Sequence, residues 1–113
     1  MGAITGYHAH VYFDAAGREQ AQHLCELAGR TFGGVTVGRM HDKPVGPHPR
    51  GSCQLAFGPE LFAEVIPWLL ANRNGLTVFA HAETGEALKD HTEHVLWLGL
   101  SETLNLAALS QVG

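Results

Sequence analysis

The chain has 113 residues, 45% of them hydrophobic, enough for one compact domain over residues 1–113 with its own core and too few for a second. Seven Lys and Arg against eleven Asp and Glu give a net charge of −4, so there is no basic footprint for a phosphate backbone, and nucleic acid is not an expected partner. No apolar run reaches the roughly 20 residues that span a bilayer, Met1–Gly6 lacks the basic start of a secretory signal, and Cys25 and Cys53 read as reduced core residues, so the expected location is the cytoplasm, off the membrane.

Tyr7 to Phe13 is aromatic and β-branched, bounded by Gly6 and by Asp14-Ala15-Ala16-Gly17, and predicts a first strand. Arg18 to Phe32 carries apolar residues at 21, 24, 25, 28 and 32, the spacing of one helical face, and Gly33-Gly34 ends it. Val35 to Met40 and Ser52 to Phe57 predict two further strands. The stretch between them holds Pro44, Pro47 and Pro49 and cannot be helical. Gly58-Pro59-Glu60 opens a second helix to about Asn72, with a kink expected at Pro67. Leu76 to His81 predicts a fourth strand and Val95 to Leu98 a short fifth.

The order β-α-β-β-α-β is that of an α+β, ferredoxin-like sandwich: a four-stranded antiparallel sheet with two helices on one face, here with an extra C-terminal strand. In that topology the first strand is central and antiparallel to the third and fourth, so its beginning meets their ends. Alternation then sorts the faces. Ala9, Val11, Phe13, Cys53, Leu55, Phe57, Leu76, Val78 and Ala80 form an apolar set suited to lie under the helices. His8, His10, Tyr12, Gln54, Thr77, Phe79 and His81 form the opposite set, expected on the open side of the sheet.

Histidine is over-represented, with eight copies. His8 and His10, at i and i+2 on one strand, point the same way roughly 7 Å apart and can lean onto one ion. Topology adds His81. Neutral imidazoles suit Fe, Zn or Cu, and three protein ligands leave positions for substrate or oxygen. Three prolines around His48 give a rigid loop that fixes its place. Arg39, pointing outward on the second strand, suits bidentate binding of a substrate carboxylate. Glu83 and Asp90 are the nearest carboxylates. Either could complete a mixed His and carboxylate triad, although Glu83 reads more simply as a solvated loop acid, and Asp90 could equally orient His91 through a hydrogen bond. His94 and His23 read as peripheral.

Tyr7-His8-Ala9-His10-Val11-Tyr12-Phe13, Gly38-Arg39-Met40-His41 with Pro44-Val45-Gly46-Pro47-His48-Pro49, Trp68-Leu69 with Asn72-Arg73, His81 with Thr84-Gly85, and Asp90-His91-Thr92 with Leu96-Trp97-Leu98-Gly99 together resemble the DOPA 4,5-dioxygenase family. The resemblance runs in order over nearly the whole chain, with a departure at Glu83, where it leads us to expect proline after the strand-end histidine. It implies extradiol cleavage of a catechol, DOPA-like or related, with O2 and a divalent metal. That metal is iron by chemical logic, with zinc a possible occupant of isolated protein. On this reading His8, His10 and His81 hold the metal, His48 and His91 act as acid and base with pKa values near the working pH, and Arg39 holds a substrate carboxylate. Two rival readings share the fold: a metal-independent acid–base monooxygenase or isomerase, and a non-catalytic binder of small aromatics. An apolar tail, Leu104 to Leu109, and an uncovered sheet face make a homodimer the expected assembly.

Overall fold

The computed structural model describes residues 3–110 and places them in one α+β layer pair. Strands β1 (Gly6–Phe13), β2 (Thr36–His41), β3 (Gly51–Phe57), β4 (Val78–Glu83) and β5 (Val95–Leu98) form one antiparallel sheet in the order β2-β3-β1-β4-β5. Helix α1 (Arg18–Thr31) joins β1 to β2, and α2 (Phe62–Asn72) joins β3 to β4. This is the expected split arrangement, with β5 added beyond β4. Two short helices, α3 (Ala87–Asp90) and α4 (Ala107–Ser110), were not legible in the sequence.

The apolar set lies where alternation put it. Ala9, Val11, Phe13, Cys53, Leu55, Phe57, Leu76, Val78 and Ala80 join Ala21, Leu24, Cys25 and Ala28 of α1 and Val65, Ile66 and Leu69 of α2 in one core. Burying these side chains, each worth about 1.5–3 kcal/mol for a full Val, Leu, Ile or Phe, is what fastens both helices to one face. Pro67 lies inside α2, which runs on through it. A 3-10 turn at Pro59–Leu61 leads into that helix and puts proline in the first turn, where a missing N–H costs nothing.

Three expectations need correction. β4 begins at Val78 and runs on to Glu83, because Gly6 pairs with Glu83 and the Thr5 amide donates to the Glu83 carbonyl at 2.9 Å. Glu83 is therefore a strand residue and no loop acid. β2 carries a register shift between Val37 and Met40, so simple alternation fails at Arg39. The second sheet face is also not open: Tyr12 and Phe79 are fully buried and His10, His48 and His81 nearly so. The 42–50 loop and the segment after β5 cover it, with the Asn105 amide donating to the Pro47 carbonyl at 2.8 Å. One ground for a homodimer, an uncovered sheet face, is thereby removed.

Candidate metal centre

β1 is the middle strand, and its register sets the site. His8 lies directly opposite His81 across the β1–β4 pair, and His10 is two residues on, on the same face. The His10 and His81 Nε2 atoms are 3.1 Å apart. One ligand nitrogen from each of His8, His10 and His81 can be chosen so that all lie within 4.8 Å of one another. Two nitrogens bound to one ion at about 2.1 Å, at tetrahedral to octahedral angles, stand roughly 3.0–3.4 Å apart, so the His10–His81 spacing is that of a shared cation.

Hydrogen bonds fix which nitrogens are offered. A carbonyl only accepts, so His81 donates Nδ1–H to the Ala82 carbonyl at 3.1 Å and keeps a lone pair on Nε2. His8 Nδ1 lies 2.7 Å from a Glu83 carboxylate oxygen, which likewise leaves Nε2 as its free nitrogen. His10 then donates Nε2–H to the His81 Nε2 lone pair. Moving that proton to His10 Nδ1 keeps the ring neutral and frees its Nε2, so that the pair can offer two lone pairs to one cation.

Electrostatics point the same way. Burial pushes His10 well below the ordinary imidazole value, helped by the like charges that His48, His81 and His8 would carry. Burial takes His81 down to about 4 against the raising effect of its bond to Ala82. Burial lowers His8 too, opposed by Glu83. At neutral pH the three rings are therefore neutral, the state that metal ligation requires.

Around the cluster stand the other expected groups. The His48 ring centroid is 4.0 Å from that of His10, and His48 Nδ1 is 2.7 Å from the Tyr12 hydroxyl. The loop is shaped for this: the His48 amide donates to the Val45 carbonyl at 3.0 Å, and Gly46 takes φ +53°, where a side chain is disfavoured. Burial, with the like charges of His91 and His41, holds His48 at about 4, below the working range expected of it. The His91 ring lies 4.0 Å from that of His81 and donates Nδ1–H to the Ala87 carbonyl at 2.7 Å, leaving Nε2 free. Phe79 backs the group, 5.5 Å from His81 and 4.5 Å from Trp97 between ring centroids.

Other expected residues stand elsewhere. Arg39 is exposed on β2 and lines a separate depression with Met40, His41, Asp42, Lys43 and Val45. Asp90 is buried and accepts hydrogen bonds from the Thr84 amide and hydroxyl and from His94 Nδ1, at 2.7, 2.6 and 2.8 Å. It thus orients His94 and not His91. His23 is exposed on α1, away from the sheet face that carries the cluster. Tyr12 was visible as a member of the histidine face, but its bond to His48 was not. A cleft of about 360 Å³, lined by Thr5, Thr36, Ala56, His8 and Glu83 among others, opens onto the His8 side.

The family model described as the Dopa 4,5-dioxygenase family matches residues 7–108. The DOPA 4,5-dioxygenase of Amanita muscaria is 37% identical over 114 residues, which cover 94% of this chain and 50% of that protein. An uncharacterised 21.2 kDa protein of Botryotinia fuckeliana is 32% identical over 122 residues, covering 98% of this chain and 67% of that one. The chain thus spans half the length of the Amanita relative and about two thirds of the Botryotinia one. A crystal structure from Nostoc punctiforme, described as that of a candidate dioxygenase, superposes with a TM-score of 0.94 at 50% identity, covering 97% of this chain and 95% of that one.

Proposed function

The chain belongs to the Dopa 4,5-dioxygenase family, and on that premise we propose that it is an extradiol-type dioxygenase, opening a catechol ring with O2 at a divalent metal held by His8, His10 and His81. The observation that carries the metal reading is the 3.1 Å approach of the His10 and His81 Nε2 atoms, beside a third imidazole whose other nitrogen is already engaged. Fe(II) is the metal we favour, since three neutral imidazoles with positions left open suit it and oxygen chemistry calls for a redox-active ion. When bound, that metal supplies Lewis acidity to the catechol oxygens and an electron path to dioxygen.

The protein groups handle protons, orientation and water. In the tautomer that donates Nδ1–H to Tyr12, the neutral His48 ring, which packs on His10, carries its lone pair on Nε2, and to that form we assign the uptake of a catechol proton. His91 Nε2, on the His81 side, is the second proton-handling group, oriented by its bond to Ala87. Phe79 and Trp97 keep water from the inner side of the cluster. Arg39 is retained for substrates that carry a carboxylate, which would extend along its depression. Both atoms of O2 enter the product, and the ring bond beside a hydroxylated carbon breaks to give a muconate semialdehyde-type chain. The exposed Leu96, Leu100 and Leu106 support pairing with a second copy, which sedimentation equilibrium would test.

Anaerobic reconstitution with Fe(II), followed by a panel of catechols under O2, tests the proposal through oxygen uptake and the yellow ring-cleavage chromophore. His10→Ala and His81→Ala are expected to lose both metal and turnover, whereas His48→Ala keeps the metal and turns over more slowly. Full metal occupancy in the His10→Ala, His81→Ala double variant would remove the ligand assignment. Catechol turnover by rigorously metal-free protein would replace the metal reading with plain acid–base catalysis.

A further inference from the structure

Among the described residues, Glu83 is the one acid in contact with the cluster that the roles above leave unused. It closes β4 opposite Gly6, and its carbonyl is held by the Thr5 amide at 2.9 Å and the Thr5 hydroxyl at 3.1 Å. Two residues beyond His81, it shares that residue's face of the strand. Gly6, directly opposite, offers no side chain on that face, so the diagonal path to His8 is clear. A Glu83 carboxylate oxygen lies 2.7 Å from His8 Nδ1 and 4.0 Å from His81 Nδ1.

We propose that Glu83 is a positioning residue for the three-histidine centre: its carboxylate accepts Nδ1–H from His8, fixing the tautomer and rotation of that ring so that Nε2 faces His10 and His81. The inference rests on the metal reading above and concerns how tightly the site binds. The three rings differ in what holds them. His81 is pinned by its own backbone bond to Ala82, and His10 is packed between His48 and His81 with 5% of its surface exposed. His8 is the least enclosed, with 29% of its side chain exposed at the mouth of the cleft, and Glu83 is the group that orients it. A carboxylate behind a ligating imidazole orders the ring and makes it a stronger donor, and losing such a partner typically costs 10–100-fold in metal affinity.

The experiment compares wild type, Glu83→Gln and Glu83→Ala in Zn(II) affinity, by competition with a chromophoric chelator, and in the visible absorption of the Co(II) forms. Circular dichroism and urea unfolding of the metal-free proteins report on the fold. The expected result is about a 10–100-fold loss of Zn(II) affinity in Glu83→Ala. Glu83→Gln, whose amide oxygen still accepts from His8, should recover most of the loss, and the Co(II) bands of wild type and Glu83→Gln should coincide. Equal affinities in wild type and Glu83→Ala would overturn the proposal. It would also fall if Glu83→Gln were as weak as Glu83→Ala and its Co(II) bands shifted, since Glu83 would then itself be a ligand. A wild-type protein that takes up neither ion would refute the metal reading as well, an outcome distinct from the other two.

Discussion

Asp90 carries three hydrogen bonds on one buried carboxylate and ties the turn after β4 to the start of β5 through Thr84 and His94. Burial alone would raise its carboxyl, but the bonds from Thr84 and His94 outweigh that and hold it below its ordinary value. A carboxyl depressed in the folded state contributes stability that is complete above the unfolded value, about 3.9, and is lost as pH falls through the folded one. Asp90→Asn places an NH2 against donors, so it should cost about 1–3 kcal/mol in urea unfolding at pH 7. The gap from wild type should narrow once pH drops below about 4. A gap unchanged across that window would mean that the Asp90 charge does not stabilise the turn.

At the scale of the elements, β1 fits closely against β3. Gly51 faces Phe13 in the register, and a Cβ built on Gly51 would stand 2.7 Å from a ring carbon of Phe13 and 2.9 Å from its carbonyl oxygen. Backbone cannot swing aside as a side chain can, so Gly51→Ala should destabilise by about 1–3 kcal/mol and lower Tm by several degrees in a thermal melt. The strand pattern behind this was legible in the sequence, because period-2 alternation sorts Ala9, Val11 and Phe13 from His8, His10 and Tyr12 wherever one face must be buried. The His8–His81 juxtaposition was legible as well, since it follows from strand order alone. What alternation could not supply was the course of irregular chain. The partnership of Tyr12 with His48 depends on how a proline-rich loop folds back. The true end of β4 depends on pairing with Thr5 and Gly6, far away in sequence. The partner of Asp90 was misread because a one-turn helix, α3, carries no periodicity and sets which histidine faces the carboxylate.

On the scale of the whole molecule, the segment after β5 is strapped across the histidine face. Arg50, just before β3, grips Glu102 with two bonds at 3.0 and 2.7 Å, reaches Asp14 at 3.4 Å, and lies over the Tyr12 ring. Both side chains of the Arg50–Glu102 pair are partly solvated, so its removal should cost about 1 kcal/mol or less in overall stability. Its local effect should be larger. In Arg50→Ala the Asn105 amide, now bonded to the Pro47 carbonyl, should exchange with solvent markedly faster by hydrogen–deuterium exchange. Unchanged protection would mean that the strap is held by its apolar contacts alone. No described helix is long and apolar enough to cross a membrane.

All three histidines of the cluster come from β1 and β4, two of the three strands with a neighbour on either side. Fraying reaches β2 and β5 first, and neither carries a member of the cluster. The triad therefore belongs to the last cooperative unit to open: the amides of His10 and His81 should exchange only through global unfolding, and no partly opened form of this chain should separate the three rings while keeping its sheet.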